Sequence, residues 1–136
     1  MAGLVEALIN TRKPDKEYKE LIVGEKKFEA ADSKFLIEPE DLGKKRKIKL
    51  LLYPSDKEAQ TRVNSRNKFY QDNSSRLTVS GEIVDVDESE GELKLITDQG
   101  LVYVKIDETI QKQELQEGKV LWTPVKRAEI KGIKDR

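Results

Sequence analysis

Residues 77–86 read LTVSGEIVDV, and this run predicts one long strand that bends at its glycine. The apolar residues change parity along it, because Val79 and Ile83 fall on one face and Val84 falls on the other. A strand that buries residues of both parities usually bends or bulges so that it can contribute to two sheets. Gly81 is the expected position of the bend, since glycine inside a strand commonly marks one.

Short elements separated by turns follow this strand toward the C-terminus. The sequence DQG at residues 98–100 is typical of a tight turn, with glycine where a positive φ is needed. Asp107 is a suitable N-cap for a short helix, and Gly118 is a suitable stop. The elements expected after residue 86 are strands at 93–95, 102–106, 120–123 and 128–130 and a helix from Asp107 to Gln116.

The order strand, strand, strand, short helix, strand, strand resembles an OB-fold, which is a five-stranded, partly open barrel. The resemblance covers residues 77–133 and rests on strand order, not on residue identities. SH3-like and other small barrels share such patterns and stay open as alternatives. No specific family is indicated.

The N-terminal half predicts a mixture of helices and strands. Leu4, Val5, Leu8 and Ile9 have helical spacing, which favours a short amphipathic helix over residues 3–11. The S-x-x-E pattern at residues 55–58 has the form of a capping box and predicts a second helix from Asp56 to about Tyr70. The strands expected in this half are 20–23, 27–30, 34–37 and 47–53.

These elements together predict an α+β fold that is mainly antiparallel β, with an OB-like small barrel in the C-terminal half and short helices. Residues 1–76 are expected to form an N-terminal α/β subdomain that contains a basic segment. Residues 77–136 are expected to form the barrel subdomain, and a single compact domain is the alternative organisation. A chain of 136 residues is long enough to bury a core in either arrangement.

The composition excludes several classes of functional site. The chain has no Cys and no His, which removes disulfides, thiolate and imidazole metal ligands, and every Ser-His-Asp or Cys-His nucleophile. No run approaches eighteen apolar residues, so neither a membrane span nor a membrane partner is expected. The expectation is a soluble cytoplasmic binding protein that is not an enzyme and that uses no metal or cofactor.

Charge is segregated along the chain although its net value is zero. Residues 1–43 carry seven basic and ten acidic side chains, residues 44–76 carry ten and three, and residues 77–136 carry nine and thirteen. The three segments therefore have net charges of −3, +7 and −4. A basic middle between acidic flanks indicates an anionic partner for that middle.

Single-stranded DNA or RNA is the partner that the basic segment suggests, because Lys and Arg neutralise phosphates and aromatic rings stack on bases. On the predicted helix Arg62, Arg66 and Phe69 would share one quadrant. Tyr103 is the aromatic residue of the third strand, and it is expected to point outward, on the face opposite that of Val102 and Val104. The candidate nucleic-acid-binding residues are Lys45, Arg46, Arg62, Arg66, Lys68, Phe69 and Tyr103.

Structural roles compete with this interpretation. Phe69 and Tyr70 would serve equally well to attach the helix to the core, and Trp122 is expected to be a core residue because it alternates with Val120. The sequence pI of about 6.4 also argues against a dedicated nucleic-acid domain, which is usually basic. The alternative function is a protein–protein interaction or assembly module, in which an acidic partner or a second copy covers the basic segment.

Overall fold

The computed structural model describes residues 3–11, 16–55, 58–63, 66–72, 76–107, 110 and 115–134. Strands account for 63% of these residues and helical residues for 3%. The strands are β1 (Val5–Ile9), β2 (Tyr18–Val23), β3 (Lys26–Ala31), β4 (Lys45–Pro54), β5 (Gln60–Arg62), β6 (Lys68–Gln71), β7 (Leu77–Asp87), β8 (Glu92–Thr97), β9 (Gly100–Lys105) and β10 (Val120–Lys134). A 3-10 turn lies at Pro39–Asp41.

The predicted α+β class is wrong, because the described residues form a nearly all-β structure with one mixed ten-stranded sheet. Residues 3–11 contain β1 and not a helix: Val5, Ala7 and Ile9 alternate as buried residues, and β1 pairs with β2 and β4. The helical spacing of the apolar residues was misleading because a five-residue strand can also bury alternate positions.

The helix predicted from Asp56 to Tyr70 is also wrong in the part that the structure describes, where β5 and β6 take its place. β5 pairs with the distant β10, which a local pattern cannot reveal, whereas β6 forms an antiparallel pair with the next strand, β7. Residues 34–37 are not a strand, and Phe35 there has a positive φ of 52°.

The helix predicted from Asp107 to Gln116 lies mostly outside the described residues. Asp107 Oδ1 accepts a hydrogen bond from the Ile110 N–H at 3.2 Å.

β4 and β10 form the centre of the sheet. They pair with each other in antiparallel fashion from Lys47–Lys134 to Pro54–Val125. On one side, β4 continues through β9, β8 and β7 and returns to β10. The predicted barrel confined to the C-terminal half is therefore wrong, because the ring that β7, β8, β9 and β10 enter is completed by β4 of the N-terminal half.

A second ring shares the β4–β10 pair. It runs from β4 through β1, β2 and β3 and returns to β10. The pairings of β1–β4, here the N-unit, are repeated by β7–β10, the C-unit. The last strand of each unit is antiparallel to the first strand of its own unit and parallel to the third strand of the other unit.

The core fills the space between the strands with alternating aliphatic residues from both units. Ile48, Leu50 and Leu52 of β4 are fully buried, as are Val102 and Val104 of β9. Gly81 of β7 lies where the backbone of β8 approaches closely, whereas the shift in the β7–β8 register falls between Ile83 and Asp85. The division into residues 1–76 and 77–136 stays a prediction, and β4 and β10 pair across it.

Among the described residues, no helix combines the length and the apolar character that crossing a bilayer would require.

Candidate functional site

Four neighbouring strands bring cationic and aromatic side chains to one face. In the register of β6, β7, β10 and β5, Lys68 lies opposite Ser80, Ser80 opposite Trp122, and Trp122 opposite Gln60. Side chains on this face line a cavity of about 210 Å³, here called the Trp122 groove. Its lining residues are Arg62, Arg66, Lys68, Tyr70, Ser80 and Trp122.

Strand periodicity decides which side chains reach the groove. Lys68 and Tyr70 of β6 point outward, so Phe69 between them points into the core and is 0% exposed. Its ring packs 5.7 Å from that of Phe28. On β10, Leu121 and its alternate neighbours are buried, which leaves Trp122 on the groove side.

The aromatic residues of the groove are held in place by polar contacts. Trp122 Nε1 donates a hydrogen bond to the Tyr70 hydroxyl at 3.0 Å. The guanidinium carbon of Arg62 lies 3.8 Å from the Trp122 ring centroid, and Lys68 Nζ lies 4.7 Å from the Tyr70 ring centroid. Both distances are within the range of cation–π attraction, so each ring has a cation on its face.

The groove is positively charged. Arg62, Arg66 and Lys68 form no ion pair with another described residue. By register Glu82 lies opposite Val120, which in turn lies opposite Arg62, so one carboxylate belongs to the edge of the same face. Three cations against one carboxylate leave a surface suited to an anion.

Ser80 lies at the bottom of the groove and is 4% exposed. Its Oγ is buried and has no hydrogen-bond partner in the part of the chain that the structure describes. Buried hydroxyl groups are normally hydrogen-bonded, so an orphaned one on a cavity wall points to a ligand atom.

Lys45 and Arg46 lie apart from the Trp122 groove, although the sequence grouped them with Arg62. Lys45 lines a separate cavity of about 220 Å³ that also contains Glu6. Arg46 Nε donates to the buried Asp41 Oδ1 at 2.9 Å, which gives this arginine a structural partner. The basic run at residues 44–49 therefore does not extend the groove.

Tyr103 lies between the buried Val102 and Val104 on β9, and its half-buried side chain is on the opposite face of the strand. Lys49 Nζ and Lys94 Nζ lie 4.4 and 5.6 Å from its ring centroid. Tyr103, Lys49 and Lys94 line a cavity of about 200 Å³. Four carboxylate residues also line this cavity, and they are Asp85, Asp87, Glu90 and Glu92. Hydrogen bonds from Ser89 and from the Glu90 backbone lower the pKa of Asp87, so this surface stays anionic and is poorly suited to phosphate.

The structure thus divides the predicted basic segment. Arg62, Arg66 and Lys68 meet in one groove, whereas Arg76 is held by Asp72 and Glu58 at 3.0 and 3.1 Å. Sequence reasoning missed Ser80, placed Trp122 in the core, and preferred Phe69 to the groove residue Tyr70 as the stacking ring. The sequence signal for Trp122 was its position between Leu121 and Thr123. Both of these neighbours are buried, so strand alternation places Trp122 on the opposite face.

No protein-family model matches the chain, and no curated protein or solved structure is similar to it. Within the described residues, no three acidic side chains are grouped so that they could hold a metal ion.

Proposed function

We propose that this protein is a non-enzymatic, cytoplasmic binding protein that takes up single-stranded nucleic acid in the Trp122 groove. The observation that carries the proposal is the meeting of Arg62, Arg66 and Lys68 with Tyr70 and Trp122 around one cavity. Cations that neutralise phosphates and aromatic rings that stack on bases are the two elements from which single-strand sites are built.

Each group in the groove has a specific role in this proposal. The guanidinium carbon of Arg62 lies 3.8 Å from the Trp122 ring centroid, and a base would stack on the guanidinium group or, after Arg62 moves aside, on the ring. Arg66 and Lys68 are exposed and would contact backbone phosphates. Phe69 has no part in stacking, because it is fully buried.

Fluorescence polarisation of labelled single-stranded DNA and RNA, at low and moderate salt, tests the proposal. We expect binding that weakens with salt, with a slope of log K against log[salt] of about −1.4 for two phosphate contacts to a single strand. The variant Arg62→Ala/Arg66→Ala/Lys68→Ala should lose most of the affinity and most of the salt dependence.

A matched control removes the same charge elsewhere. Lys44, Lys45 and Lys47 are exposed and lie outside the groove, so their triple replacement by Ala should leave the affinity nearly unchanged. If the control loses as much affinity as the groove variant, binding is a general response to charge and the proposed site is wrong. Absence of wild-type binding at low salt would refute nucleic-acid binding altogether.

A further inference from the structure

We propose that the Trp122 groove accepts one nucleobase at a time, unpaired and of any identity, with the Ser80 hydroxyl hydrogen-bonded to the edge of the base. This inference rests on the proposed function and specifies its ligand. It predicts that the protein distinguishes nucleic acid from a bare sugar–phosphate backbone and from other polyanions.

The size of the groove sets the number of bases. The groove has a volume of about 210 Å³. It is smaller than the sites of about 300–1,000 Å³ that enclose whole drug-sized ligands. A single planar base can therefore enter, while its sugar and phosphates stay outside, at the level of the exposed Arg66 and Lys68.

The polar atoms inside the groove suit a base edge without selecting one. The Ser80 Oγ can donate one hydrogen bond and accept others, and it has no partner among the described residues. The Tyr70 hydroxyl accepts from Trp122 Nε1, so its own hydrogen remains to be donated. Because hydroxyl groups rotate, these two can match either a donor or an acceptor on the base.

The same arrangement excludes a paired base. Ser80 is 4% exposed and its Oγ is buried, so a ligand atom can reach this hydroxyl only by entering the groove and displacing the atoms that cover it. A base inside a duplex has its Watson–Crick edge occupied by its partner and its faces covered by neighbouring bases, so it cannot enter the groove without leaving the stack. Unpaired bases with free edges and faces are the ones that proteins stack and read in this way.

Trp122, the single tryptophan of the chain, supplies a fluorescence readout at the site. Three probes are titrated: a twelve-residue oligothymidylate, the same backbone with abasic sugars throughout, and the abasic backbone with one central thymine. We expect the one-base probe to bind within a few-fold of oligothymidylate and to quench Trp122. The fully abasic probe should bind at least tenfold more weakly and leave the fluorescence unchanged.

The variant Ser80→Ala removes only the orphaned hydroxyl. It should weaken binding of the one-base probe by about fivefold to tenfold, as expected for loss of one hydrogen bond, and leave binding of the abasic probe unchanged. Thr78→Val is the matched control, because the Thr78 hydroxyl lies on the same strand and already donates to the Arg76 carbonyl oxygen. This control should leave the affinity for all three probes intact.

The outcomes separate the two proposals. If oligothymidylate binds through Arg62, Arg66 and Lys68 but the one-base probe binds no more tightly than the abasic probe, the one-base site is refuted and the proposed function stands. An unchanged affinity of Ser80→Ala for the one-base probe refutes the role of the hydroxyl. If none of the probes binds at low salt, both proposals fail.

Discussion

Gly81→Ala tests the closest approach between strands in the fold. A Cβ atom at position 81 would lie 2.3 Å from the carbonyl oxygen of Ile96 and 3.2 Å from the Leu95 Cβ. Carbon and carbonyl oxygen atoms of adjacent strands normally lie about 3.3–3.6 Å apart, so β7 and β8 would have to separate by about 1 Å. The obstructing atom is backbone, which cannot rotate away as a flexible side chain can.

The expected cost follows from that displacement. Overpacking a well-packed interior typically destabilises a protein by about 1–3 kcal/mol. At about 4 °C per kcal/mol for a chain of this length, Tm should fall by about 4–12 °C. Urea unfolding gives the free energy of unfolding by linear extrapolation to zero denaturant. Far-UV circular dichroism follows the sheet and Trp122 fluorescence follows the groove, so coincident transitions show that both unfold together.

Gly132→Ala is the matched control for Gly81→Ala. Gly132 also lies in a strand, but a Cβ there would meet only the Lys49 Cβ at an ordinary 3.6 Å. This variant should be neutral or stabilised by up to about 1 kcal/mol, since alanine restricts the unfolded chain. Equal stabilities of the two variants would refute the close β7–β8 contact at Gly81.

Three further predictions concern side chains. Phe69→Ala should lower the free energy of unfolding by about 3–5 kcal/mol, as for other buried phenylalanines, and urea midpoints that match wild type would contradict its core position. Arg46→Ala should lower the free energy of unfolding by about 1–3 kcal/mol, because it removes the hydrogen bond to Asp41, and should leave the oligonucleotide Kd unchanged. A raised Kd in a folded Arg46→Ala variant would show that Arg46 belongs to the binding surface. Burial raises the pKa of Glu129, but the hydrogen bond and charge of Lys131 outweigh it and leave that pKa below the ordinary value. Glu129 therefore stabilises the fold above about pH 4.3 and loses this contribution as pH falls through its lowered pKa, so urea midpoints of Glu129→Gln should depend less on pH between 6 and 3 than those of wild type.

Strands with strong alternation could be predicted from the sequence. The run at residues 47–53 lies within β4, the strand predicted at 93–95 lies within β8, and the strand predicted at 102–106 lies within β9 except at residue 106. In β4 the fully buried residues Ile48, Leu50 and Leu52 alternate, as do Val102 and Val104 in β9, and this period of two is typical of a strand. The helices at 3–11 and 56–70 were wrong because β1, β5 and β6 are short strands, and β1 and β5 pair with strands that are distant in sequence, β4 and β10.

The candidate site could be predicted only in part. The positive charge of Arg62, Arg66 and Lys68 is visible in the sequence, and the structure brings these three residues together. The aromatic component could not be predicted, because it depends on which face of β6 and β10 is buried. The register of β6 against β7 buries Phe69 and leaves Tyr70 on the groove face. The register of β10 against β7 brings Trp122 to the same face.

The exchange of β4 and β10 between the two rings has a consequence for how the chain folds. Leu51 of β4 pairs with Glu129 of β10, which lies more than half the chain length away. During synthesis, β1 to β4 emerge first, and the edge of β4 that faces away from β1 has no partner until β10 follows. Because such non-local pairings require a large loss of chain entropy before they form, folding should be slow and should begin in earnest only when the last strand is available.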